Sequence, residues 1–146
     1  MSRILALPVA LICYAAFFVS FAYLAGFAAG FDPLPTHVDK GMSGTLGVSL
    51  IIDIGLIALF GVQHSVMARP RFKAAWTKIL PAAMERSVYC LATAIGLLLI
   101  FAFWHPIDGV LWSVSDPALR MIFWAVFFLG WGILFISTWL LNHFEL

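Results

Sequence analysis

The residues of this chain that can do chemistry fall in three short polar stretches of an otherwise apolar sequence. Gln63-His64-Ser65 is followed by Arg69; Glu85-Arg86-Ser87 comes later; Asn142, His143 and Glu145 stand near the last residue. His and Glu are proton-transfer residues. Arg holds a carboxylate through paired N–H donors. Asp53 stands apart, inside the apolar run before His64. No HExxH, CxxC, phosphate loop or GxGxxG occurs, and no Ser nucleophile motif. No metal site is expected. Cys13 and Cys90 lack ligand spacing and read as packing residues.

The elements that must position these residues are membrane helices. The 146 residues are 64% hydrophobic and 10% charged, with a mean hydropathy of +1.06. A soluble domain carries about 25% charged residues. In water, a chain this short could not bury so much Leu, Phe, Ile and Val. That excludes a cytosolic enzyme, a disulfide scaffold and a disordered chain. Eight Lys+Arg against seven Asp+Glu leave no basic field, so no nucleic-acid partner is expected.

The expected fold class is therefore all-α: a polytopic integral membrane protein with four transmembrane helices plus a short interfacial helix. The spans are expected at about 4–30, 44–68, 82–104 and 117–141, forming one membrane domain 1–146. The first run follows Arg3 but is far longer than the roughly 7–15 apolar residues of a signal peptide, so it reads as an uncleaved anchor. Asp116-Pro117 looks like a cap and first residue for the last span. Ala22, Gly26 and Gly30 form a small-residue ridge suited to helix contact. Trp124, Phe128, Trp131 and Phe135 form an aromatic stripe that reads as bundle core or lipid-facing surface.

Orientation follows from Lys and Arg. Arg69, Arg71, Lys73, Lys78 and Arg86 gather between spans two and three, while the other loops hold Lys40 and Arg120. The positive-inside rule puts that loop and both termini in the cytosol. Within the loop, Pro70 suits a first helical position. Phe72, Trp76, Ile79 and Leu80 make an apolar face for a helix lying on the inner leaflet. Pro81 should end that helix and can start span three, near Ala82.

With this topology the three polar stretches converge on one cytosolic mouth. Each residue also has a plainer reading. His64 could bond a neighbouring helix, Arg69 could be an anchor, Glu85 could match a helix N-terminus, and Asn142 and His143 could be an interfacial end. Asp53 lies about three turns from His64 on one face. It is expected to bond another helix, or alternatively to begin a proton path to His64. His37, His105 and Asp108 fall on the outer side, where water can satisfy them.

The run Phe60-Gly-Val-Gln-His-Ser-Val-Met-Ala-Arg-Pro70, with Trp76, Pro81-Ala-Ala-Met-Glu-Arg-Ser87 and Ser137-Thr-Trp-Leu-Leu-Asn-His-Phe-Glu-Leu146, resembles the bacterial methanethiol S-methyltransferases. These group with NnrU-type membrane proteins and, more distantly, isoprenylcysteine carboxyl methyltransferases. The resemblance spans essentially the whole chain. It implies S-adenosyl-L-methionine as methyl donor and methanethiol as the small thiol substrate, giving dimethyl sulfide. It also implies a longer protein: past Asn142-His143-Phe144 such enzymes continue into further helices with an Arg-His-Pro-type motif. This chain then matches the N-terminal part, and a C-terminal half or a second copy is an expected partner.

On this reading His64 and Glu85 are the catalytic candidates, His64 first as base for the thiol. Arg69, Arg86, Asn142 and His143 are the cofactor-binding candidates. Gln63, Ser65 and Asp53 are further site residues. Two other readings stand beside it. One is a non-catalytic membrane module, a permease or accessory subunit, for which Asp53 is the best support. The other is an electron carrier with His64 and His143 as axial haem ligands.

Overall fold

The computed structural model describes residues 3–110 and 112–143; the side chains of 3–7, 82, 83, 138, 139 and 141–143 fall outside that description. The described residues form five helices: α1 (Arg3–Ala28), α2 (Leu46–Met67), α3 (Pro70–Trp76), α4 (Ala82–Phe103) and α5 (Pro117–His143). Four of them, all but α3, are long and apolar enough to cross a membrane, with mean hydropathies of 1.9–2.1. Their surfaces are apolar too. Ile51 is 75% exposed, Val19 68% and Ile12 67%. In water such exposure is untenable; in lipid it is the ordinary state of a span. The chain is an integral membrane protein of the expected all-α class.

It divides into two units, Met1–Asp108 and Gly109–Leu146. In the first, α4 packs against α1 on one side and α2 on the other. Phe101 of α4 meets Tyr23 and Phe27, near the end of α1, so those helices run parallel. Phe60 and Gln63 of α2 lie over Gly96, and His64 lies near Thr93, so α2 runs antiparallel to α4. Phe27, Leu97, Ile100 and Phe101 form the core, with Leu56, Phe60 and Trp104 packed on it. Cys13 and Cys90 are buried free thiols within α1 and α4, as packing residues should be.

The expected ridge on α1 does something else. Gly26 sits under Leu34, whose Cδ1 would lie 2.9 Å from an added Cβ. Gly30 has φ +64° and ends the helix. Phe31 N–H bonds the Gly26 carbonyl and Gly30 N–H the Phe27 carbonyl, the six-to-one and five-to-two bonds of a Schellman cap. These small residues turn the chain back instead of admitting another helix.

The returning loop is tied down. The Tyr23 hydroxyl donates to the Thr36 carbonyl and accepts from the Thr36 N–H. The Trp104 indole N–H donates to the Val38 carbonyl at 2.9 Å, and Met42 N–H donates to the Trp104 carbonyl at 2.9 Å. His37 and His105, expected to be satisfied by water, are instead 5% and 7% exposed, because this loop and the end of α4 cover each other.

In α3, Pro70 holds the first position as expected, and Phe72 stacks on Trp76. The helix stops sooner than the apolar spacing suggests. Lys78, Ile79 and Leu80 turn back on the carbonyls of Ala75 and Trp76, and Ile79 is left 77% exposed. In the second unit, Asp116 Oδ1 accepts from the N–H groups of Ala118 and Leu119, capping α5 as expected. Trp124 stacks on Phe128, and Phe127 packs on Trp124 and Trp131 along the same helix.

Gly41 lies against the Trp104 carbonyl closely enough that a Cβ would collide with backbone. Gly41→Ala should destabilise the protein by about 1–3 kcal/mol through overpacking. Gly55→Ala, where nothing lies within 4 Å, should cost nothing or stabilise. Unfolding midpoints of the two variants in one detergent check this; equal midpoints would refute the close approach.

Candidate functional site

The site builds from the N-terminal end of α4. His64 lies in the last turn of α2 and faces that helix. The Tyr89 hydroxyl is 3.0 Å from its Nε2 and 3.1 Å from its Nδ1. Thr93 Oγ1 is 3.3 Å from Nδ1. Phe60, one turn back on α2, stacks on the imidazole with ring centroids 5.4 Å apart. Tyr89 and Thr93 are four residues apart, so one face of α4 presents both hydroxyls. A neutral imidazole donates from one nitrogen and accepts at the other. With Nδ1–H toward Thr93, Nε2 is left to accept from Tyr89.

Gln63 packs on Gly96 and donates to Met67 Sδ at 3.0 Å. Its Oε1 is buried without a partner. Glu85 and Arg86 are half-buried at the start of α4. Arg86 interacts with the Tyr14 hydroxyl of α1. Ser87 is buried at 4% exposure.

The structure thus brings Gln63, His64, Glu85 and Arg86 to one end of the first unit. Arg69 is at that end too, exposed at the N-cap of α3. Ser65 is exposed, next to His64 in sequence but not part of its contacts. Asp53 is not there. Its Oδ1 accepts the His105 N–H at 3.0 Å, beyond the C-terminal end of α4. Its partner is backbone in the loop past α4, not another helix as one expectation had it. Leu56 and Phe60, which pack on the apolar core, lie between Asp53 and His64 along α2. Asn142 and His143 close α5 in the second unit; their side chains, and Glu145 altogether, lie outside the described residues.

Sequence reasoning missed Tyr89 and Thr93. A signal was there: Glu85, Tyr89 and Thr93 recur every four residues, a polar stripe inside an apolar span.

Fold and site together define a polytopic helical membrane protein with a half-buried hydroxyl–imidazole cluster at one end of its first unit. The chain is 41% identical over its full length to the methanethiol S-methyltransferase of Crocosphaera subtropica, covering 57% of that protein. It is 40% identical over its full length to that of Mycobacterium tuberculosis, covering 59%. Human Nurim is 39% identical over 93 residues, which are 61% of this chain and 33% of Nurim. Along its whole length the chain is a homologue of proteins named methanethiol S-methyltransferase, and it spans about half the length of these curated relatives. No family model and no solved structure matches it.

Tyr89→Phe keeps the ring and removes the hydroxyl from both imidazole contacts. It should cost about 0.5–1.5 kcal/mol of stability. It should also shift the His64 ring signals in NMR spectra of the detergent-solubilised protein. Unchanged ring signals would show that the hydroxyl does not touch His64.

Proposed function

We propose that this chain is part of a membrane methyltransferase that converts methanethiol to dimethyl sulfide, with S-adenosylmethionine as donor. The observation that carries this is similarity along the whole chain to proteins of that name, together with a His64 imidazole within hydrogen-bond reach of two hydroxyls. The chain lies in a bacterial inner membrane with both termini and the α4 N-terminal end in the cytosol. The basic residues around α3 support that orientation, and it opens the site toward a cytosolic donor.

The residues suit the amino-acid end of S-adenosylmethionine. The buried, unpartnered Gln63 Oε1 and the Glu85 carboxylate are acceptors for an ammonium group. Arg86 and Arg69 supply donors for a carboxylate. When bound, the cofactor supplies an electrophilic methyl group on a sulfonium. The acceptor reacts as its thiolate, so the work left to this chain is to remove one proton. In the resting state the Tyr89 O–H donates to His64 Nε2. As the thiol proton passes to the Tyr89 oxygen, the Tyr89 proton passes to Nε2. The imidazolium that forms is stabilised by Thr93 at Nδ1. The substrate sulfur keeps the electron pair that would form the new S–CH3 bond as the donor's own S–CH3 bond breaks, that pair staying on the donor sulfur, which departs as a neutral thioether. Phe60 helps keep water from the imidazole. Glu85 is the second candidate for the base.

The test is methyl transfer from labelled S-adenosylmethionine to methanethiol in membranes carrying the chain in its native genetic context. Dimethyl sulfide should form. His64→Ala should lower the rate on the order of 10²–10⁴-fold, and Tyr89→Phe by less. Transfer at an unchanged rate in His64→Ala would reject the base assignment. No transfer by the wild type would reject the methyltransferase reading.

A further inference from the structure

The opposite end of the first unit holds a polar group for which the methyl-transfer chemistry has no use. Asp53 is 4% exposed, and Ser49, one turn earlier on α2, is 1% exposed. One Asp53 oxygen accepts the His105 N–H. The other, Oδ2, is buried without a partner, and so is Ser49 Oγ. A buried carboxylate with no counter-charge is strongly disfavoured.

Its surroundings add to the deficit. His105 lies two residues past the end of α4, where a helix has carbonyls without intrahelical partners and the negative end of its dipole. Pro106 has no N–H to offer them. Asp53 is the eighth residue of α2, beyond the first turn, where the positive end of that helix would help. Among the described residues no cationic side chain pairs with it. His105 Nδ1 is turned to the Phe103 carbonyl at 2.8 Å, and Lys40 Nζ to the Leu34 carbonyl at 3.1 Å. Two unsatisfied oxygens one helical turn apart, a carboxyl group and the negative end of a helix thus share one buried region, with no paired cation among the described residues.

We propose that Asp53 and Ser49, with the C-terminal end of α4, bind one dehydrated monovalent cation of sodium size. Carboxylate, hydroxyl and carbonyl oxygens are a hard donor set, and helix C-terminal ends coordinate such ions inside membranes. A cleft of about 320 Å³ at the same end is lined in part by Asp39, Asp108, Lys40 and Gly44. Its two carboxylates outnumber its one ammonium group and favour cations there. Gly44 is the thin wall between cleft and site: a Cβ there would lie 3.3 Å from Ser49 Oγ and 3.1 Å from His105 Cδ2.

The experiment follows thermal unfolding of the purified chain in detergent at fixed pH and ionic strength, as sodium chloride replaces choline chloride. The unfolding temperature should rise saturably by several degrees. The rise should vanish in Asp53→Asn, and the half-saturating concentration should increase at least tenfold in Ser49→Ala. Should Asp53→Asn fail to fold, Ser49→Ala and equilibrium binding of radioactive sodium to the wild type decide; one displaceable ion per chain is expected. No sodium response, as a carboxyl that simply carries a proton would give, overturns the proposal. A response that survives intact in either variant overturns it too.

Discussion

Between membrane helices apolar side chains gain little by exchanging lipid for one another, so close shape and hydrogen bonds must hold the contact. α4 meets that constraint on two sides at once. Towards α2 it offers Tyr89, Thr93 and Gly96, which admit His64, Gln63 and Phe60. Towards α1 it offers Phe101, against which Tyr23 and Phe27 pack. Accordingly 39% of its span is buried, against 11% for α1 and for α2. Among the described residues, both α1 and α2 pack against this helix. Both polar sites of the first unit are built on it.

Those sites sit at opposite ends, with the apolar cluster of Leu56, Phe60, Leu97 and Ile100 between them. The separation makes physical sense. A hydrophobic layer separates the buried Asp53 carboxyl from the His64 imidazole, and in low dielectric polar groups placed closer would influence each other strongly. One end is organised by side-chain hydroxyls around a ring. The other is organised by loop backbone folded over a helix terminus.

Much of this was legible in the residues. Uninterrupted apolar length marked the ends of the four long helices to within two positions, because lipid leaves the backbone no alternative to helix. Pro70, Pro81 and Asp116-Pro117 marked helix starts through their own backbone chemistry. The grouping of His64 with Glu85 and Arg86 followed from topology and a resemblance. The rest depended on rotation about helix axes, which hydropathy does not report. Asp53 was placed with His64 because both lie on one face of α2, yet depth along the helix gives them different partners. Tyr89 and Thr93 were passed over because one hydroxyl at a time is cheap in a span. His37 and His105 were misjudged because a loop read in isolation looks wet, whereas this one folds onto the end of α4.

That fold-back has a consequence for biosynthesis. The Val38 carbonyl and the Trp104 indole that bonds it are 66 residues apart in sequence. The loop after the first span therefore cannot reach its final bonding until the third span has been made and has crossed the bilayer. At roughly 5–20 residues per second of translation, that interval is on the order of several seconds. During it Thr36 can already bond Tyr23, which lies in the neighbouring span, and the Schellman cap at Gly30 needs nothing beyond its own turn. The first hairpin is thus held half-formed by local bonds. The arrival of α4 supplies the Trp104 bonds that complete it.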